Sequence, residues 1–98
     1  MTEKRIYFDD GTFYVGEVKD GKYDGRGAYT WPSGEKYDGE YKDGKRHGRG
    51  IISKPDGSKY EGEWKEDNPW TGTFTDADGS KTEWEDGREI RRIYRING

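Results

Sequence analysis

The chain has no cysteine and no leucine in 98 residues, and only one histidine, one methionine and three prolines. Without cysteine there is no disulfide, no thiolate metal ligand and no thiol nucleophile, and a reducing compartment is permitted. Without leucine, and with 16 glycines, a helix bundle or coiled coil is excluded, because glycine inside a helix costs roughly 1 kcal/mol. No apolar run exceeds three residues, too short for a transmembrane helix. Met1-Thr2-Glu3-Lys4-Arg5 leads into no apolar stretch, so no secretory signal is visible. A cytoplasmic location, free or at a membrane surface, is the expectation. The net charge of -3 and pI near 5.2 argue against a dedicated nucleic-acid binder, which needs a basic face. With 27% hydrophobic and 40% charged residues, disorder would be the default reading. What opposes it is the aromatic mass of eight tyrosines, four tryptophans and three phenylalanines. This length allows one domain, and this composition fits a thin β structure held by rings.

Three segments open alike: Tyr14-Val15-Gly16-Glu17-Val18-Lys19, Tyr37-Asp38-Gly39-Glu40-Tyr41-Lys42 and Tyr60-Glu61-Gly62-Glu63-Trp64-Lys65. Their tyrosines recur every 23 residues. A glycine pair follows (Gly25 and Gly27, Gly48 and Gly50), then a turn at Pro32-Ser33-Gly34 or Pro55-Asp56-Gly57. The third copy is one residue short, with Asn68-Pro69-Trp70-Thr71-Gly72 in place of the two-glycine loop. The organisation is a half-repeat at 4–13, repeats at 14–36, 37–59 and 60–81, and a partial repeat with a basic C-terminal cap at 82–98. Within each copy apolar and polar residues alternate, which is strand periodicity. Each repeat is expected to be a β-hairpin with one aromatic and one Lys/Glu-rich face, joined as a meander of eight or nine antiparallel strands. Glycines between rings should let a neighbouring strand's ring lie over the backbone. Those of Asp20-Gly21, Asp43-Gly44, Asp56-Gly57 and Asp78-Gly79 should supply positive φ in turns.

The Tyr-x-Gly-x-aromatic-Lys opening, the Gly-x-x-x-Gly-x-Gly loop and the 23-residue period resemble the MORN repeat (membrane occupation and recognition nexus). Tyr37 through Lys59, including His47-Gly48-Arg49-Gly50, carries the resemblance most fully, and it extends over roughly residues 4–87. It implies an all-β, elongated, curved single-layer sheet without catalytic residues or cofactors. Such repeats occur as targeting or scaffold modules beside methyltransferase, lipid-kinase and junctional membrane proteins, and as proteins made only of repeats. The family name implies phospholipid contact, and many members look like protein-interaction scaffolds.

The chemistry-bearing residues give little else. His47, alone and without cysteine, cannot anchor a zinc site and reads as a turn-packing residue. Asp76-Ala77-Asp78-Gly79 lacks the later ligands of a calcium loop, and Gly25-Arg26-Gly27 and Gly48-Arg49-Gly50 precede no helix that could hold a phosphate. Catalytic, metal and cofactor residues are therefore expected to be none. The aromatic stripe of Tyr14, Tyr29, Trp31, Tyr37, Tyr41, Tyr60, Trp64, Phe74 and Trp84 is the only core available and, as a groove, the candidate partner site. The tail from Arg88 to Ile96, with Arg88, Arg91, Arg92 and Arg95 against one glutamate, reads as a terminal cap in strand or helix form. Its second reading is a basic patch for anionic lipid or an acidic partner. The leading expectation is a non-enzymatic scaffold binding a protein through the aromatic groove. Alternatives are a peripheral phospholipid binder using the tail, a regulatory segment of an enzyme whose catalytic domain is absent, and a designed repeat protein. A homodimer through the C-terminal segment is also expected, since Ile90 to Ile96 places apolar residues on both strand faces.

Overall fold

Three Asp-Gly pairs close tight hairpins because both residues accept left-handed backbone: Asp20 and Gly21 have φ of 51° and 76°, Asp43 and Gly44 51° and 84°, Asp86 and Gly87 51° and 82°. The third hairpin forces the same turn on Glu66 and Asp67, with φ of 47° and 71° and no glycine. At the other end of the strands, longer turns are tied by Asx and Ser contacts. Asp10 accepts from the Thr12 N–H at 2.8 Å, and Asp56 takes both the N–H and hydroxyl of Ser58 at 2.8 and 2.6 Å. These bonds hold the Asp10 and Asp56 carboxyls below their usual range.

The computed structural model describes residues 2–94. They form one sheet of nine antiparallel strands in chain order: β1 (Thr2–Tyr7), β2 (Phe13–Lys19), β3 (Lys22–Thr30), β4 (Lys36–Lys42), β5 (Lys45–Ser53), β6 (Lys59–Lys65), β7 (Asn68–Thr75), β8 (Lys81–Glu85) and β9 (Arg88–Ile93). No described residue is helical, and the sheet measures 49 × 28 × 16 Å. The start of the tail is thus a strand, β9.

Register aligns the repeats. Tyr14, Tyr29, Tyr37, Ile52, Tyr60 and Phe74 lie opposite one another across six consecutive strands. Beside this row runs a row of glycines: Gly16, Gly27, Gly39, Gly50, Gly62 and Gly72. The tyrosines that open the repeats lie down over these glycines. A Cβ on Gly50 would stand 2.6 Å from Cε1 and Cζ of Tyr37, and one on Gly39 would stand 2.7 Å from the Tyr37 hydroxyl. The ring over Gly39 belongs to its own strand, two residues earlier, and not to a neighbouring strand as the sequence suggested. Within the glycine row, Gly27, Gly50 and Gly72 meet the tyrosine of the strand beside them.

Just past the glycines the register slips, between Gly16 and Val18 and between Gly39 and Tyr41, and the returning strand bulges at Gly25 (φ 96°) and Gly48 (φ 76°). There the Tyr14 hydroxyl donates to the Glu17 carbonyl at 2.8 Å, and the Tyr37 and Tyr60 hydroxyls donate to Glu40 and Glu63 carbonyls at 2.7 Å. The Glu17 and Glu40 carboxylates accept the Arg26 and Arg49 backbone N–H across the bulge. The Tyr-x-Gly-Glu opening is therefore one device in which the ring covers glycine while hydroxyl and carboxylate satisfy the bulge. In the shortened third copy the positive φ moves to Gly62, at 150°.

Candidate functional site

On the aromatic face, rings interlock across hairpins. Tyr41 meets Tyr37 and Tyr14 edge-on at 5.1 and 5.6 Å, and Trp64 meets Tyr37 and Tyr60 edge-on at 5.3 and 5.2 Å. The Trp64 indole N–H donates to the Gly50 carbonyl at 3.0 Å. This geometry is the favoured quadrupole arrangement, and it seals the stripe. Tyr14 and Tyr37 are 0% exposed, Tyr60 1%, Trp64 4% and Tyr41 7%. Burial pushes the Tyr14 hydroxyl up to about 12, and it raises Tyr37, Tyr41, Tyr23 and Tyr60 in the same direction.

The expected aromatic groove is corrected accordingly. Tyr14, Tyr37, Tyr41, Tyr60 and Trp64 are core, because each ring is closed in by other rings of the stripe, from its own hairpin or the next. Tyr29, Trp31, Phe74 and Trp84 keep part of their surface. Tyr29 and Trp31 sit 4.7 Å apart, and with Tyr23, Tyr41, Arg46 and Asp67 they line a shallow depression of about 200 Å³. Phe74 packs between Tyr60 at 4.6 Å and Trp84 at 5.4 Å.

Two contributors escaped the sequence reading. Tyr23 stacks on Tyr14 at 3.9 Å, and Arg46 lays its guanidinium 4.6 Å over Trp64 while its Nε meets Asp67 Oδ1 at 3.0 Å. Both stand at one position of the 23-residue frame, with Pro69 third. Comparing positions by frame instead of by residue class would have exposed them. His47 accepts the Glu66 N–H on Nδ1 at 3.5 Å, just as Asp24 accepts the Asp43 N–H at 3.2 Å. It joins one hairpin to the turn of the next.

The expected basic tail patch is divided by strand alternation. Arg92 pairs with Thr82, in register with Phe74 on the aromatic side, while Arg91 pairs with Glu83 on the opposite side. Each holds a carboxylate: Arg92 to Asp76 at 2.6 Å and Arg91 to Glu83 at 2.8 Å. The bond to Asp76 raises the pKa of Arg92. Arg88 is exposed, and Arg95 lies outside the described residues. Ile90, Ile93 and Tyr94 remain exposed on or beside this edge strand, with Ile90 as the extra residue of a bulge opposite Glu83 and Trp84.

The other face is polar. A depression of about 630 Å³ on it lies over the backs of Gly50, Gly62 and Gly72, between Arg26, Arg49, Asp38 and Glu61. Among the described residues no group of three His, Asp or Glu side chains is arranged to hold a metal ion, and no helix could cross a membrane.

A search of curated proteins returns no match. A family model described as the MORN repeat matches residues 14–36, 37–59 and 60–70, the third match ending in the shortened loop. More than half of the chain is covered, the hairpins fall on the matched period, and the chain belongs to the MORN repeat family.

Proposed function

We propose that the chain is a non-enzymatic interaction module that takes a protein partner on the open rim of its aromatic face. The observation that carries this reading is the pair Tyr29 and Trp31: two adjoining rings left half-buried beside a shallow depression, while the rings beneath them are sealed. Aromatic side chains with one free face beside a charged rim are the usual anchors of a protein contact, and here Arg46 and Asp67 supply that rim. MORN repeats are a non-catalytic family, and the single histidine is engaged in joining two hairpins. Both support a binding role over turnover. Photo-crosslinking tests it. A benzophenone amino acid at Trp31 should capture a discrete partner from the source lysate, and the same probe at Ile51 on the polar face should not. Capture from Ile51 alone would overturn the reading.

A further inference from the structure

The polar face carries an arrangement that folding alone does not explain. Lys19 stands directly opposite Lys22 across the first hairpin, and Lys42 directly opposite Lys45 across the second. Both doublets flank an Asp-Gly turn in the same Lys-Asp-Gly-Lys motif, and Lys65 holds the same position in the third hairpin opposite Asn68, where its ammonium lies 4.6 Å over the Trp70 ring. Like charges directly opposite on antiparallel strands oppose folding. Among the described residues Arg26, Arg46, Arg91 and Arg92 each hold a carboxylate, whereas none of these five lysines has one within 4.0 Å. A local rule broken twice, at one position of the repeat, points to function and not to stability.

The doublets recur every second strand, which corresponds to about 9.5 Å at the spacing of a regular ladder. A polyproline II chain has three residues per turn and a rise of about 3.1 Å, and therefore presents every third side chain on one face at about 9.3 Å intervals. The geometry points to an acidic partner segment in this conformation, with a carboxylate at every third residue, lying across the hairpin tips. Each carboxylate would sit between the two lysines of a doublet. A continuous anionic surface fits less well. It would also press against Asp20 and Asp43 in the turns and against a body of net charge -3, whereas spaced carboxylates meet the lysines alone. This surface is on the opposite face from Tyr29 and Trp31 and does not rest on their role.

The test is fluorescence anisotropy at low ionic strength, with a labelled peptide repeating Glu-Pro-Pro. Its control has the same composition with all glutamates adjacent. The spaced peptide should bind the parent chain several-fold more tightly than the clustered one. The variant Lys19→Gln, Lys22→Gln, Lys42→Gln, Lys45→Gln should lose at least tenfold in affinity for the spaced peptide. A variant of equal charge change elsewhere, Lys36→Gln, Lys54→Gln, Lys59→Gln, Lys81→Gln, should keep most of it. The hairpin-tip variant should melt no lower than the parent, because like-charge pairs have been removed, so its loss of binding cannot be loss of fold. Equal affinity for both peptides, equal losses in both variants, or tighter binding to phosphatidylserine vesicles or duplex DNA would each overturn the proposal.

Discussion

Gly50→Ala is the sharpest test of how this thin sheet is held. The new methyl would stand 2.6 Å from two ring carbons of Tyr37, where about 3.5–4.0 Å is comfortable, so the ring must move by about 1 Å or more. It has nowhere to go: Tyr41 and Trp64 close its edges, and its hydroxyl is tied to the Glu40 carbonyl. Re-exposing about 100 Å² of ring costs ~2.5 kcal/mol at about 25 cal/mol per Å². Losing the hydroxyl bond adds about 1 kcal/mol. A loss of about 3.5 kcal/mol, or about 14–28 °C in melting temperature, is the expectation for a domain of this size. Thermal melts followed by near-UV circular dichroism would measure it, in a cycle with Tyr37→Ala. That change itself costs about 3–5 kcal/mol, so the cycle is run in a stabilising osmolyte. Without the ring, alanine at 50 meets much less, and a coupling of about 2 kcal/mol should appear. Gly39→Ala is the contrast. Its Cβ would stand 2.6 Å from the Arg49 carbonyl and against the Gly50 backbone, which removing the ring cannot relieve. An unchanged melt for Gly50→Ala, or a loss just as large without Tyr37, would refute the ring-on-glycine account.

Five further outcomes are expected. Because burial raises the folded-state pKa of Tyr14 to about 12 against about 10 unfolded, its stabilisation is whole below pH ~10 and is lost as pH rises from there through ~12; in the tyrosinate absorbance difference between the parent and Tyr14→Phe, the Tyr14 signal should rise with unfolding, and its titration near pH 10 with the fold intact would contradict this. Asp67→Gly relaxes a left-handed residue but removes the carboxylate that accepts both the Arg46 N–H and Nε, so denaturant melts should show a net loss of about 1 kcal/mol. Glu66→Gly, equally left-handed, should be neutral or stabilising by the same melts. On edge strand β9, a two-fold pairing centred on Ile90 would set Arg88 against Arg92 twice; we expect a monomer in sedimentation at micromolar concentration and a dimer on Arg88→Thr, and a parent dimer would refute the guarding role of the arginines. With Arg91 and Arg92 on opposite faces and each holding a carboxylate, co-sedimentation with anionic vesicles should be marginal and abolished by moderate salt; tight binding that survives salt would contradict this.

The strand count, the hairpin period and the positive φ of the Asp-Gly turns were legible in the sequence because each is local. Alternation has a period of two, Asp-Gly prefers the left-handed turn, and a 23-residue repeat carries one solution along the chain. The aromatic stripe was equally visible as a list of residues. What that list could not say is which rings are sealed, because burial depends on where neighbouring hairpins place their rings. Tyr41, farther along the same strand, and Trp64, from the next hairpin, close over Tyr37, whereas Tyr29 and Trp31, at the end of β3, receive less cover. The roles of Tyr23 and Arg46 were masked differently: a tyrosine and an arginine share no residue class, although they share a position of the 23-residue frame and pack on Tyr14 and Trp64. The tail shows the limit most plainly. Four arginines close in sequence read as one patch, but a strand alternates its side chains, so pairing with β8 sends Arg91 to one face and Arg92 to the other and gives each a carboxylate. Sequence determined the period and the chemistry. Register between strands decided which side chains became core, which stayed open and which charges were already spoken for.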